Sequence, residues 1–178
     1  MTSAAFSVHP TPLGDALLIV TDAGLVSLDL LDGPPEPVLG RVGAALATAP
    51  NHDPSATAAV AHQLDEYFDG TRRRFDLPID WRLTQGFVRQ ALAAVCEVPY
   101  GETASYGEIA IRAGSPGAHR AVGTACARTP ISIVVPAHRI VRADGSIGEY
   151  GGRPDRKRFL LDLESAGREA VEEEPARE

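Results

Sequence analysis

Two strand patterns follow each other near the start of the chain. "ALLIVT" at 16–21 is an unbroken apolar run; after a turn at Asp22-Ala23-Gly24, the residues Val26, Leu28 and Leu30 alternate with Ser27 and Asp29. The pair predicts a hairpin with one face buried, because successive strand side chains point to opposite sides of the sheet. "DGPPEPVLG" reads as a proline-stiffened loop. From Ser55, an N-cap candidate, Val60, Leu64, Tyr67 and Phe68 recur at helical spacing, and Gly70 closes an amphipathic helix. "RRRFDLPIDW" predicts an edge strand and linker, since Pro78 has no N–H for a ladder.

The pattern becomes helical beyond residue 80. Thr84 can cap a helix whose apolar face is Phe87, Val88, Ala91, Leu92 and Val95, stopped by Pro99 and Gly101. Ser105 and Glu108 form a capping box, and the helix that they open ends at Gly114. Ser115-Pro116 starts another helix, through "GAHRAVGTACAR", with serine as cap and proline in the first turn. Two short helices about a glycine turn make a helix-turn-helix candidate, although such a pattern is more often ordinary helix packing than DNA binding. Ile131 to Val135 is a strand-type apolar run ended by Pro136, Asp144-Gly145 marks a turn, and Gly151-Gly152 a flexible or close-approach loop. Pro154 opens a last helix with Phe159, Leu160 and Leu163 on its apolar side. The expected fold is an α/β N-terminal domain (1–80; a small antiparallel sheet plus a helix), a mainly α domain with the helix-turn-helix (81–168), and a disordered acidic tail (169–178).

Charge sharpens this division. The formal net charge is −7, yet residues 1–80 carry four basic against eleven acidic side chains, and residues 81–168 carry twelve against eight. A phosphate-facing surface therefore belongs to the second half. Of the 17 basic residues only Lys157 is lysine; arginine suits phosphate, but the bias can equally reflect genomic base composition. The helix from Ser115 is nearly smooth, with Gly117, Ala118, Ala121, Gly123, Thr124, Ala125 and Ala127, which suits close packing on another helix or entry into a narrow groove. Arg120 in its first turns favours the groove. No 18-residue apolar run and no signal-type N-terminus occur, so a cytoplasmic protein without membrane contact is expected. Cys96 and Cys126 make no disulfide framework, and His9, His52 and His62 lack cysteine partners, so no metal or cofactor is expected.

The blocks "TPLGDALLIVTDAGL", "QLDEYFDG", "VPYGETASYGEIA", "HRAVG", "PISIVVPAHRIV", "ADGSIGEYGG" and "RKRFLLDLE" carry a resemblance in order over residues 10–165. The chain resembles the O6-alkylguanine-DNA alkyltransferases, also called methylated-DNA-protein-cysteine methyltransferases. In that family a Pro-Cys-His-Arg cysteine accepts the alkyl group from guanine. A free thiol has a pKa of about 8.5 and needs a base, a neighbouring histidine acting through water, which a carboxylate orients. By position His138 is implied as that base and Glu164 as its carboxylate, while Ala137 stands in the nucleophile's place.

The resemblance further implies DNA contacts at Tyr106, Gly107, Ser115, Arg120, Ala125 and Arg139. Tyr106 would promote extrusion of the target base and Arg120 would fill its place. Val135, Pro136, Ile140, Tyr150 and Gly151 would wall the lesion pocket, and Thr129 stands at the hinge where the family usually has Asn. Taken alone, His138 would be a loop histidine, Glu164 a solvated helix charge and Tyr150 a packing aromatic. Glu149 beside the pocket has no evident role. Neither Cys96 nor Cys126 has a suitably placed histidine.

Because alanine cannot accept an alkyl group, the expectation is the alkyltransferase-like branch: not an enzyme, but a monomer that docks in the minor groove of double-stranded DNA and flips O6-alkylguanine without removing the alkyl group. That complex would mark the lesion for nucleotide excision repair proteins. The alternative is a methyltransferase whose cysteine was replaced, by engineering or recent loss.

Overall fold

The computed structural model describes residues 3–172. They form two compact units, one running to Gln85 together with Pro130–Val134, the other comprising Gly86–Thr129 and the described residues from Val135 onward.

The first unit contains a sheet of order β3-β2-β1-β4, built from β1 (Ala4–Thr11), β2 (Gly14–Thr21), β3 (Gly24–Leu30) and β4 (Asn51–His52). The first three strands are antiparallel meander neighbours, and β4 runs parallel to β1. The expected hairpin is β2-β3, but the expectation of one buried face is corrected. Ala16, Leu17, Leu18 and Ile19 are consecutive and all fully buried, as is Ser27, which requires cover on both sides. Helix α1 (Glu36–Leu46) supplies Val42 and Leu46 to an apolar cluster with Ala4, Leu17, Ile19 and Val26. Helix α2 (Ala58–Phe68) is tied to β1 by the buried Ser7–Thr57 hydroxyl pair and by His9–Asp65.

Helix α1 occupies part of the stretch read as a loop. Pro35 stands at its N-cap and proline follows within its first turn, where a missing N–H costs nothing. Ser55 does not cap α2; its N–H and hydroxyl both donate to Asp53 Oδ1, and Thr57 holds the N-cap position without a side-chain bond. The edge strand expected around Pro78 shrinks to one parallel bridge, Leu25 with Ile79, in which the Leu25 N–H donates to the Pro78 carbonyl. Thr84 caps no helix; its hydroxyl donates to the Trp81 carbonyl at 3.0 Å, closing the short turn Trp81–Leu83. The run Ile131–Val135 is likewise no strand beyond the bridge Leu28–Ile131. Ile133 has φ +68°, and the Val134 N–H donates only two residues back, to Ser132, so the backbone turns instead of extending.

In the second unit α3 (Gly86–Val95), α4 (Tyr106–Arg112) and α5 (His119–Ala127) pack on one another. The inner face of α3 is Ala91, Leu92, Ala94 and Val95, with Val88 exposed. The capping box of α4 is present: Glu108 N–H donates to Ser105 Oγ at 3.1 Å, and Ser105 N–H donates to the Glu108 carboxylate at 2.6 Å. Ser115 does not cap α5. Gly117 at φ +88° interrupts the expected first turn, and the helix starts two residues later, with Ala118 at the N-cap position. Strands β5 (Ala104–Ser105) and β6 (Ile140–Val141) pair in parallel, and α6 (Pro154–Glu172) completes the unit. The acidic tail expected from residue 169 is helical through Glu172, because α6 continues into it; the remainder lies outside the described residues. Among the described residues no helix is long and apolar enough to cross a membrane.

Candidate functional site

The backbone after Pro136 makes one 3-10 turn, Ala137–Arg139, and enters β6. The Ala137 N–H donates to Val135 and the Arg139 N–H to Pro136, which fixes the turn against the β5-β6 pair. From α6, Glu164 projects its carboxylate into the turn and accepts four hydrogen bonds. His138 Nε2–H donates to Oε1 at 2.8 Å, Arg139 donates through Nε and Nη2 at 2.9 Å each, and Gly101 N–H donates at 3.1 Å. The remaining Arg139 amino group, Nη1, donates to the Val98 carbonyl at 2.7 Å.

The electrostatics follow from burial. His138 is 0% exposed and Glu164 1%. Burial alone would raise the Glu164 pKa, but the hydrogen bonds from His138 and Arg139 outweigh it and hold the carboxyl at about 2. Burial pushes the His138 pKa below its ordinary value, against the pull of Glu164, so the ring is neutral at pH 7. With its one proton on Nε2 and committed to Glu164, the ring carries a lone pair at Nδ1 that has no hydrogen-bond partner among the described residues. The residue next to that oriented base is Ala137, 2% exposed.

A second cluster lies around Lys157, which is completely buried. Its ammonium donates to the Ile140 carbonyl at 2.5 Å and to the Glu149 carbonyl at 3.5 Å, and sits 5.8 Å over the Tyr106 ring. Burial lowers its pKa to about 8. Tyr106 is held between Gly123 of α5 and Gly148 of the following loop, where a Cβ would come within 3.2 Å of its hydroxyl. The Tyr150 hydroxyl is enclosed without a hydrogen-bond partner among the described residues, and burial raises its pKa. Cys126 on the inner side of α5 is pushed up to about 12 by burial, which Lys157 only partly offsets.

Not every expected residue takes its expected place. Arg139 was expected at DNA but is 7% exposed, with its donors committed to Glu164 and Val98. Ala125 is 1% exposed and faces the helix core, whereas Arg120 and Thr124 lie on the outer face of α5. Gly107 and Ser115 are half-buried at the start of α4 and in the turn after it. Val135, Pro136 and Ile140 are buried around the turn, Gly151 is exposed, and Thr129 is half-buried just after α5. Sequence reasoning assigned no role to Lys157, Gly101 or Val98. Only Lys157 carried a signal, as the one lysine among 17 basic residues. Glu149 now has a role beside Lys157: its carbonyl accepts from the ammonium at 3.5 Å, and its carboxylate charge favours the ammonium's charged form. Among the described residues no group of side chains could hold a metal ion.

The fold, a small sheet domain with a helix followed by a helical domain, is that of the O6-methylguanine DNA methyltransferases. Residues 5–81 match the ribonuclease-like domain of 6-O-methylguanine DNA methyltransferase and residues 86–166 match its DNA-binding domain. The chain belongs to this family. A methylated-DNA–protein-cysteine methyltransferase of Mycolicibacterium paratuberculosis is 43% identical over 154 residues, covering 86% of this chain and 88% of that protein. One from Mycobacterium tuberculosis is 47% identical over 114 residues, 64% of this chain and 68% of the relative. The M. tuberculosis O6-methylguanine methyltransferase structure superposes with TM-score 0.79 at 36% identity, over 98% of this chain and 96% of that one. The M. tuberculosis OGT in complex with DNA gives 0.77 at 36%, over 92% and 94%. These relatives overturn the expectation that the chain is not an enzyme: at 43–47% identity they are named as methyltransferases.

Proposed function

We propose that this protein acts on O6-alkylguanine in duplex DNA at a methyltransferase site in which residue 137 holds the alkyl acceptor's position, here occupied by alanine. The observation that carries the reading is the buried His138, its Nε2 fixed by Glu164 and its Nδ1 without a partner among the described residues, in the same short turn as residue 137. A general base must have its lone pair free at the atom that takes the proton, and this ring has it. In this reading Arg120, on the exposed face of α5, fills the place of an extruded base and Tyr106, at the opening of α4, promotes its extrusion, at a cost of a few kcal/mol that inserted side chains offset. The exposed basic side chains of residues 81–168, among them Arg112, Arg120 and Arg128, would supply the phosphate attraction.

A methyl group at 137 has no lone pair, so transfer onto the protein needs a sulfur placed there. In Ala137→Cys the thiol proton passes to His138 Nδ1, the thiolate attacks the alkyl carbon, and the bond from that carbon to O6 breaks with its electrons going to guanine. The test is the intact mass of Ala137→Cys after incubation with an O6-methylguanine duplex. One methyl per protein, lost again in Ala137→Cys combined with His138→Gln, supports the reading. An Ala137→Cys protein that folds, binds the duplex and gains no methyl refutes it.

A further inference from the structure

The one lysine of the chain is placed against its electrostatic preference. Lys157 lies near the start of α6, where the helix dipole disfavours a cation, and it is 0% exposed, although burying an ammonium is costly. Glu149 favours the charged form, but burial outweighs it. The carbonyls of Ile140 and Glu149 would accept equally from a neutral donor, so they do not account for a cation. What a neutral donor would not supply is the contact with Tyr106, whose ring centroid is 5.8 Å from the ammonium. Tyr106 opens α4, its backbone set by the capping box of Ser105 and Glu108. Two glycines let the neighbouring segments close on its ring: a Cβ at Gly123 of α5 would lie 3.9 Å from the ring, and one at Gly148 would lie 3.2 Å from the hydroxyl. One ammonium thus joins the first residue of β6, just after the turn that bears residue 137, to the loop at 148–150 and to the Tyr106 ring.

We propose that Lys157 is a positioning residue for lesion capture: its charge holds the Tyr106 ring, the 148–150 loop and the turn at residue 137 in one arrangement, so that a base is extruded and seated without reordering them. The inference rests on the proposed action at O6-alkylguanine. Lys157 acts through Tyr106 and the loop, not on the reacting atoms. Parts already ordered before binding do not subtract their ordering from affinity. A guanine that stays paired in undamaged duplex makes no use of this arrangement, so Lys157 bears on lesion preference and not on the general phosphate attraction of exposed side chains such as Arg112 and Arg128. The charged and titratable groups that face it are Cys126 of α5, Tyr106 of α4, and Arg142 and Glu149 of the segment after β6. Burial holds Cys126 up at about 12 and Tyr106 above its ordinary 10. Lys157, lowered to about 8, therefore changes charge between pH 7 and 9 while those two do not.

The experiment titrates the full chain with matched duplexes carrying O6-methylguanine or guanine at fixed salt, for the natural chain, Lys157→Met, Tyr106→Ala and the double variant, with thermal unfolding of each alongside. Lys157→Met should lower the preference for the lesion duplex by about 5–30-fold, the size of one desolvated cation–ring contact, and leave affinity for the guanine duplex unchanged. In the Tyr106→Ala background the same substitution should have no further effect. The preference of the natural chain should fall as the pH rises from 7 to 9 and the ammonium loses its proton, while that of Lys157→Met stays level. A residue that only supports the fold predicts neither result. Should Lys157→Met fail to fold, the pH series on the natural chain carries the test alone. An undiminished preference in Lys157→Met, an equal loss on both duplexes, a full loss on top of Tyr106→Ala, or a natural preference level from pH 7 to 9 overturns this inference. If Ala137→Cys still takes up its methyl, the site reading stands. No methyl on Ala137→Cys together with no lesion preference in the natural chain overturns both.

Discussion

Replacing Glu164 by glutamine is the sharpest test of how the site is held. The carboxylate has two oxygens and receives four donors: the imidazole, two guanidinium N–H groups and the Gly101 N–H. Glutamine offers one oxygen and an NH2 that must face donors, and it leaves the Arg139 guanidinium buried without its counter-charge. Removing one partner of a buried pair costs about 3–5 kcal/mol. The pKa of Glu164 gives a second route to the magnitude. Held at about 2 against an ordinary 4.5, the carboxyl contributes about 3 kcal/mol at neutral pH, from roughly 1.4 kcal/mol per unit. The sign is set by the depressed folded value: this stability is complete above pH 4.5 and is lost as the pH falls towards 2. Urea unfolding of the natural chain and Glu164→Gln at a series of pH values measures both. The variant should be about 3–5 kcal/mol less stable at pH 7, and the gap should narrow by about 3 kcal/mol on acidification. A loss below about 1 kcal/mol, the range of surface pairs, or two curves that stay parallel across this window, would refute the reasoning.

Gly24→Ala should lower stability by about 2 kcal/mol or more, because φ +132° is strained for alanine and its Cβ would collide with the Pro78 carbonyl; thermal unfolding reads this directly. Lys157→Met keeps the stem but leaves the Ile140 carbonyl without its donor, so stability should fall by about 1–3 kcal/mol and hydrogen exchange around residues 148–152 should quicken. Arg120→Ala, on the exposed face of α5, should leave stability within about 0.5 kcal/mol of the natural chain. The same variant should weaken binding to O6-methylguanine duplex in a titration at fixed salt.

How much of this was legible in the sequence depends on what each element draws on. The β2-β3 hairpin and the capping box of α4 rest on local chemistry, namely alternation, a turn and a serine three residues before a glutamate, and both are present. Helix α1 was missed because proline was read as a loop former, although in a first helical turn it stops nothing. The strand at Ile131–Val135 failed for the opposite reason: its apolar run is buried, but the left-handed Ile133 and the short-range bonds spend its backbone on turns. Burial on both sheet faces and the inward turn of Arg139 come from tertiary cover, which no local pattern encodes. At the site, Glu164 and His138 were named from the family's motif order. Their spacing of 26 residues would not have joined them.

The His138–Arg139–Glu164 cluster serves two ends, and they separate at one atom. Every polar contact of Arg139 and of Glu164 described above is made to other parts of the same unit, so these bonds would be kept for stability even in a protein with no chemistry to perform. The presence of Arg139 and Glu164 therefore says little about activity. His138 differs. Its Nε2 takes part in the structural cluster, while Nδ1 lies buried and makes no hydrogen bond to the described residues. A purely structural role would be filled as well by an amide side chain that donates to Glu164 and exposes no basic lone pair. A buried acceptor of this kind is satisfied when a donor reaches it, whether a water or a reacting group. That places the functional information of the site in the orientation of one ring, and makes His138→Gln the variant that distinguishes chemistry from support. Stability should change little relative to Glu164→Gln, while the methyl uptake of Ala137→Cys should be lost when His138→Gln is added to it.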